Sequence, residues 1–196
     1  RGRRGGRAGQ RGRAGGAEAV VTAPPTEAGR AIDPGLGMLA LLGVDHEVMP
    51  CDPDLADTAD FCAAYGIDPS DSANAILVAG KPRPGQDRPF ALCMVLATHR
   101  LDVNGTVRKR LDTRKASFAG AEETALVTGM TIGGVTPFGL PAPLPVWIDA
   151  AVMARDRIVV GGGSRDRKLL LPPSGLLKLA LAEAVDGLAR PAPSDS

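Results

Sequence analysis

The sequence predicts an α+β fold, a single domain of roughly six or seven short strands interleaved with four to six helices. Three observations predict it. Short apolar runs with β-branched residues, at 75–79 and 90–98, lie between Pro/Gly/Asp-rich connections. Segments with apolar positions three and four apart are bracketed by capping residues and glycines. The chain has 196 residues, 44% hydrophobic and 23% charged, which suffices for one core and not comfortably for two.

The elements follow in order. Asp33 and Pro34 supply an N-cap and a first-turn proline for a helix over 35–42, and Gly43 supplies its stop. Leu36, Leu39 and Leu42 lie near one face of it. Residues 46–49 read as a strand. Asp54 then caps a helix that ends at Gly66, with Leu55, Thr58, Ala59 and Cys62 as its buried stripe. The runs at 75–79 and 90–98, joined by the connection 81–88, predict an antiparallel pair. A helix over 103–111 puts Val103, Val107 and Leu111 on one face and Arg108, Lys109 and Arg110 on the others. Residues 117–127 read as a strand end followed by a helix, and 128–145 as a glycine- and proline-rich loop. Three further strands are expected at 146–149, 157–161 and 168–171. Pro172 and Pro173 then open a final helix that runs to about Val185. The expected domain is 31–188, flanked by disordered tails at 1–30 and 189–196.

Composition narrows the function classes. Aromatics are 3% of the chain, too few for rows of stacked bases. Three cysteines, Cys51, Cys62 and Cys93, have no C-x-x-C spacing and read as reduced thiols of a cytoplasmic protein. No apolar stretch approaches the ~20 residues of a membrane helix, and no signal peptide is expected. Residues 1–16 hold six arginines and no acid, so a net charge of +1 conceals a balance of −5 elsewhere. Such a tail either touches nucleic acid without sequence preference or has no role.

Candidate chemistry is sparse. With two histidines, neither in a nucleophile motif, a catalytic triad is not expected, and no ligand spacing points to zinc. An unrelated hydrolase using Asp149 or His99 has nothing positive to support it. Gly161, Gly162 and Gly163 follow a strand, yet Asp166 breaks the dinucleotide fingerprint and no phosphate-loop pattern occurs. The loop 128–139 holds four glycines, Gly129, Gly133, Gly134 and Gly139, and Pro137. Either its N–H groups meet a ligand's carbonyl or oxyanion, or it is a tight turn without a ligand. Between Arg100 and Lys115, six basic residues face two acids. That excess fits phosphate contact as a patch, or a solvated helix face.

The string TGMTIGGVTPFGLPAPLPVWID, residues 128–149, resembles the TG-x-x-x-GG-[IV]-[ST]-P-x-G…ID signature of YbaK/EbsC-type aminoacyl-tRNA deacylases, the prolyl-tRNA editing domains. IVVGGGSRDRKLLL at 158–171 resembles that family's strand, glycine turn and returning strand, and SANAILV at 72–78 its first core strand. The resemblance implies a mixed, partly closed, barrel-like sheet wrapped by helices. It implies an ester hydrolase for tRNA carrying the wrong amino acid, often alanine or cysteine on proline tRNA, with no metal or organic cofactor. Its partners would be the aminoacylated 3′ end of tRNA and an aminoacyl-tRNA synthetase.

On the same resemblance, Gly129, Gly133, Gly134, Pro137 and Gly139 shape the pocket, and Asp149 ends its strand. Gly162, Gly163 and Ser164 line another wall, with Arg165 at the rim. Arg108, Lys109 and Arg110 would grip tRNA phosphates. Asn74 stands where relatives usually carry a lysine, Ser164 replaces another frequent lysine, and Lys115 falls at a position often basic. The resemblance therefore names Asn74, Gly134 and Lys115 as catalytic candidates. The alternative is a catalytically impaired relative that binds tRNA or an aminoacyl-like ligand without turnover.

Overall fold

A computed structural model describes residues 33–193, so the basic tail and the last three residues lie outside it. Helix α1 (Pro34–Leu41) starts as expected, with the Asp33 carboxylate accepting from the Gly35 and Leu36 N–H groups. Strand β1 (Glu47–Pro50) follows. The next helix does not begin at Asp54. Asp52 caps a 3₁₀ turn at Pro53–Leu55, and α2 (Thr58–Tyr65) starts only after Asp57. Gly66 ends α2 in the left-handed conformation, at φ 67°.

Strands β2 (Ala73–Gly80) and β3 (Phe90–Leu96) form the predicted antiparallel pair, with Ala73 opposite Leu96 and Ala79 opposite Phe90. After β4 (His99–Leu101), Asp102 caps a π turn at Val103–Val107 that runs into α3 (Arg108–Arg110). Then come β5 (Ala116–Phe118), α4 (Ala121–Thr128), β6 (Val146–Asp149) and α5 (Ala150–Met153). The chain closes with β7 (Ile158–Gly161), β8 (Arg167–Leu171), a 3₁₀ turn at Pro173–Lys178, β9 (Ala182–Val185) and β10 (Ala189–Pro191).

The final helix expected up to Val185 is thus a short turn and a strand. Leu, Ala, Lys and Glu favour helix locally, but β6 offers an open edge whose N–H and C=O groups need partners. Residues 182–185 supply them, pairing in parallel with 146–149. The tail expected from residue 189 begins as strand for a similar reason, because residues 189–191 pair with β4.

The five-stranded sheet has the order β5-β2-β3-β6-β9, and β1-β8-β7 form a second, antiparallel sheet. No described sheet closes on itself, so the barrel-like expectation is corrected to a mixed open sheet. The reason lies at β5. It pairs with β2 only over 78–80 before the chain turns at Gly120 into α4. Past Leu77, whose carbonyl accepts from the Ala119 N–H at 2.9 Å, the edge of β2 at residues 73–76 is left without that neighbour, and β7 is bridged only to Ser72, just before β2, through Val159.

Each face of the five-stranded sheet buries its own apolar cluster. Leu77, Leu92, Met94, Val146 and Ile148 pack with α1, the second sheet and Leu176. Val78, Cys93, Val95 and Trp147 pack with Val103, Val107 and Leu188. Cys51, Ala56, Phe61, Cys62 and Val159 form a third cluster under α2. Burying each large aliphatic or aromatic side chain contributes about 1.5–3 kcal/mol. The three cysteines are unpaired and buried, and burial pushes the Cys93 thiol up to about 12.

Candidate active site

The open stretch of β2 has a consequence on its flank: a cavity of about 410 Å³. One wall is β2 itself, residues 73–77. The second is the start of α2, with Asp57, Thr58 and Phe61, and the third is Ile132, Gly133 and Val135 of the glycine loop. Residues 159–161 of β7 and Lys168 of β8 close the back. Phe118, Ala119 and Thr124 stand on the β5–α4 side, where Phe118 is 59% exposed.

Asn74 is in this cavity. Its Oδ1 accepts the Thr58 hydroxyl at 2.5 Å, which leaves the side-chain N–H groups available to a ligand. Lys168 is 6% exposed, and its Nζ donates to the carbonyls of Ala56 at 2.5 Å and Gly133 at 2.7 Å. The ammonium also lies 5.2 Å from the centroid of the Phe61 ring. It makes no ion pair among the described residues. Removal from water holds its pKa below the ordinary lysine value, against a smaller opposing effect of Cys51.

The glycines named from the sequence divide sharply. Gly133 lines the cavity at φ 90°, and a side chain there would collide with the Arg165 guanidinium. Gly134 does not line it. Its N–H donates to the Thr131 carbonyl at 3.0 Å, its carbonyl accepts from Gly163 at 2.8 Å, and an added Cβ would strike the Ser164 backbone. Gly134 therefore lets two loops approach, and its N–H is not available to an oxyanion. Gly139, at φ 76°, packs on the Pro34–Gly35 backbone, and Gly129 is the left-handed cap of α4. Gly162 packs against Arg167, and Pro137 is buried outside the cavity lining.

The remaining candidates brace the site or lie away from it. Arg165 donates to the carbonyls of Pro53 and Ile132 at 2.9 and 2.8 Å and pairs with Asp57 at 3.0 Å, so it ties the α2 entrance to the glycine loop. The Ser164 hydroxyl donates to Asp166. Asp149 is buried, accepting from Ala151 at 3.1 Å and Ala189 at 2.8 Å, and holds α5 and β10 in place. Lys115 is exposed and outside the cavity lining. Arg108, Lys109 and Arg110 follow the turn that covers the Trp147 face, and none of them lines the cavity. Arg108 bonds the Asn104 carbonyl at 2.7 Å. Arg110 pairs with Glu183 and lies 4.9 Å from the Trp147 ring centroid.

Sequence reasoning missed Lys168, Thr58 and Phe118. For Lys168 a signal existed: one lysine at the head of an apolar strand, where a core side chain is expected. Thr58 and Phe118 carried none.

A profile of the aminoacyl-tRNA editing domain matches residues 52–179, which contain all of the cavity lining. The chain belongs to the aminoacyl-tRNA editing domain family. A proline–tRNA ligase of Bacillus licheniformis is 29% identical over 114 residues. That match takes in 58% of this chain and only 19% of the ligase. Two crystal structures share the editing-domain fold. The hypothetical protein APE2540 superposes with a TM-score of 0.69 at 18% identity, over 81% of this chain and 100% of its own. A candidate trans-editing enzyme for prolyl tRNA synthetase gives 0.65 at 23% identity, over 80% and 98%. No described helix is long and apolar enough to cross a membrane.

Proposed function

We propose that the chain is a trans-acting hydrolase that cleaves the ester of mischarged aminoacyl-tRNA, alanine or cysteine on proline tRNA being the first substrates to try. The observation that carries this reading is the cavity beside β2. At about 410 Å³ it falls in the range of small-molecule sites, and its mostly apolar lining, from Ala73 and Ala75 to Phe61, Leu77, Phe118 and Ile132, is broken by the polar side chains of Asn74, Thr58 and Lys168, as a site for a small acyl group requires. The aminoacyl-tRNA editing family and the proline–tRNA ligase match support the substrate class.

In the reaction, water adds to the ester carbonyl carbon and the carbonyl electron pair moves onto oxygen. Collapse of that intermediate expels the ribose oxygen, which takes up a proton derived from the water. Asn74, positioned by Thr58, orients the carbonyl or the water through its amide N–H groups. Removing wrong amino acids in a second site meets the limit that one small apolar side chain is rejected only weakly by binding. The partners on this reading are the aminoacylated 3′ end of tRNA and, in the cytoplasm, the synthetase whose errors are corrected.

The test is deacylation of a panel of mischarged tRNAs, starting with alanyl- and cysteinyl-tRNA(Pro), by the protein and by Asn74→Lys. Release of the amino acid above the uncatalysed rate is the expected result. Binding of the tRNA without release, with activity gained by Asn74→Lys, would instead make this chain an impaired relative. Neither binding nor release across the panel would overturn the reading.

A further inference from the structure

Lys168 poses a problem that the fold does not answer. A buried ammonium ordinarily keeps a carboxylate beside it, because an uncompensated charge out of water is strongly destabilising. Lys168 is 6% exposed and has two backbone carbonyls, an aromatic face and no acid in ion-pair contact among the described residues. Of its three N–H donors, two are directed to Ala56 and Gly133. The side chain lines the cavity, so the third has the cavity as its outlet.

Resting on the deacylase reading, we propose that Lys168 is a catalytic residue of this chain, donating its third N–H to the ester carbonyl oxygen and to the oxyanion that forms from it. Asn74, on the β2 wall, cannot supply a cation, and Lys168 supplies one from the lining of the same cavity. The step consumes one water: the carbon–oxygen bond to water forms, the bond to ribose breaks, and the lysine keeps its proton throughout. Gly133 acquires a second role, since its carbonyl anchors the lysine and its missing side chain leaves room for Arg165.

The charged groups around Lys168 shape its pH behaviour. Asp57 and Cys62 come from α2 and its cap, Cys51 from the segment before it, and Arg165 from the β7–β8 turn. Asp57 is already paired with Arg165. Activity that needs the protonated lysine falls as pH rises through its pKa, which lies below the ordinary 10.5.

Two measurements test the assignment, and the first needs neither substrate nor variant. The native protein is treated with cyanate, which adds to neutral amines, and the modified lysines are identified by mass spectrometry. At pH 8, Lys168 should be carbamylated in the folded protein, through the cavity that its side chain lines. A Lys168 that reacts only after unfolding is a bolt between two loops, and the proposal falls. In the second, the tRNA panel is assayed against pH for the protein, Lys168→Met and Lys168→Arg. Kcat should drop about 100-fold in Lys168→Met, the loss typical of one oxyanion donor, with partial recovery in Lys168→Arg. The alkaline fall seen with the native protein should vanish in Lys168→Met. Unchanged kcat in a folded Lys168→Met, or an alkaline limb that persists in it, would overturn the assignment. Carbamylation in the folded state with a native protein silent on every ester would support a lysine open to the cavity and overturn only the deacylase reading.

Discussion

Arg110, on the Trp147 face of the five-stranded sheet, lies over the indole ring and pairs with Glu183. Lys168, at the cavity beside β2, is buried against two carbonyls with no acid in contact among the described residues. The first side shows three basic residues in a row, of which Arg108 and Arg110 bond within the domain and Lys109 is exposed. The second shows one charge, out of water and only partly satisfied. A cluster of basic residues is easily accommodated at a surface, where each charge keeps its water and a nearby acid adds little. An isolated buried lysine is not, and its persistence points to a ligand that completes its surroundings. In this domain, density of charge along the sequence lies over one face of the sheet and chemical consequence lies at its β2 edge.

The largest effect that sharpens this contrast concerns how closely the cavity side is packed. Gly161 lines the cavity, and a Cβ there would collide with the Val135 carbonyl and the Gly134 backbone. Gly161→Ala should destabilise the fold by roughly 3 kcal/mol, read from its urea midpoint, because backbone cannot move aside as a flexible side chain can. Gly120→Ala, which meets open space, is the control. Equal midpoints for the two would mean that the loop contact is looser than the structure has it.

A pH-dependent effect is next. Burial lowers the folded-state pKa of Lys168, so between that value and the unfolded one the unfolded chain binds more protons. Stability therefore rises with pH across that window, and the burden of the buried charge is present below it. Against Lys168→Met, the native protein should gain relative stability from pH 7 toward pH 10 in denaturant titrations. A flat difference would show that the lysine is solvated, and the comparison would break.

On the other face, Arg110→Ala should cost about 1 kcal/mol for a partly exposed ion pair and a cation–π contact. Deacylation by this variant should be unchanged. The smallest effect is expected at Lys109, where Lys109→Ala should shift stability by no more than about 0.5 kcal/mol. If either variant weakens tRNA binding and flattens its salt dependence, the Trp147 face grips phosphate, and the two sides share the work.

Much of the fold was legible locally. Asp33-Pro34 and Gly66 mark helix ends, and each has the conformation its chemistry demands, whereas Gly129, expected at the pocket, is the cap of α4. The β2–β3 hairpin followed from two apolar runs and a breaker-rich connection. Of the site residues expected from the sequence, Asn74 and Gly133 reach the cavity, while Gly134, Gly139 and Asp149 serve packing and capping. The glycine loop was conspicuous because glycine marks close backbone approach, but the partner in that approach is not encoded nearby. For Gly134 it is Ser164 rather than a ligand.

By itself the sequence determined the Asp33-Pro34 and Gly66 helix ends, the β2–β3 pair and the position of the glycine loop, since these rest on caps, periodicity and spacing within a few residues, and the string at 128–149 carried the resemblance to the editing domains. Only the tertiary structure decided that residues 182–185 become strand, that β2 keeps an open edge, and that Lys168 enters the cavity. Each of these depends on an unpaired edge or an unfilled space left by residues far along the chain, and local propensity carries no record of that.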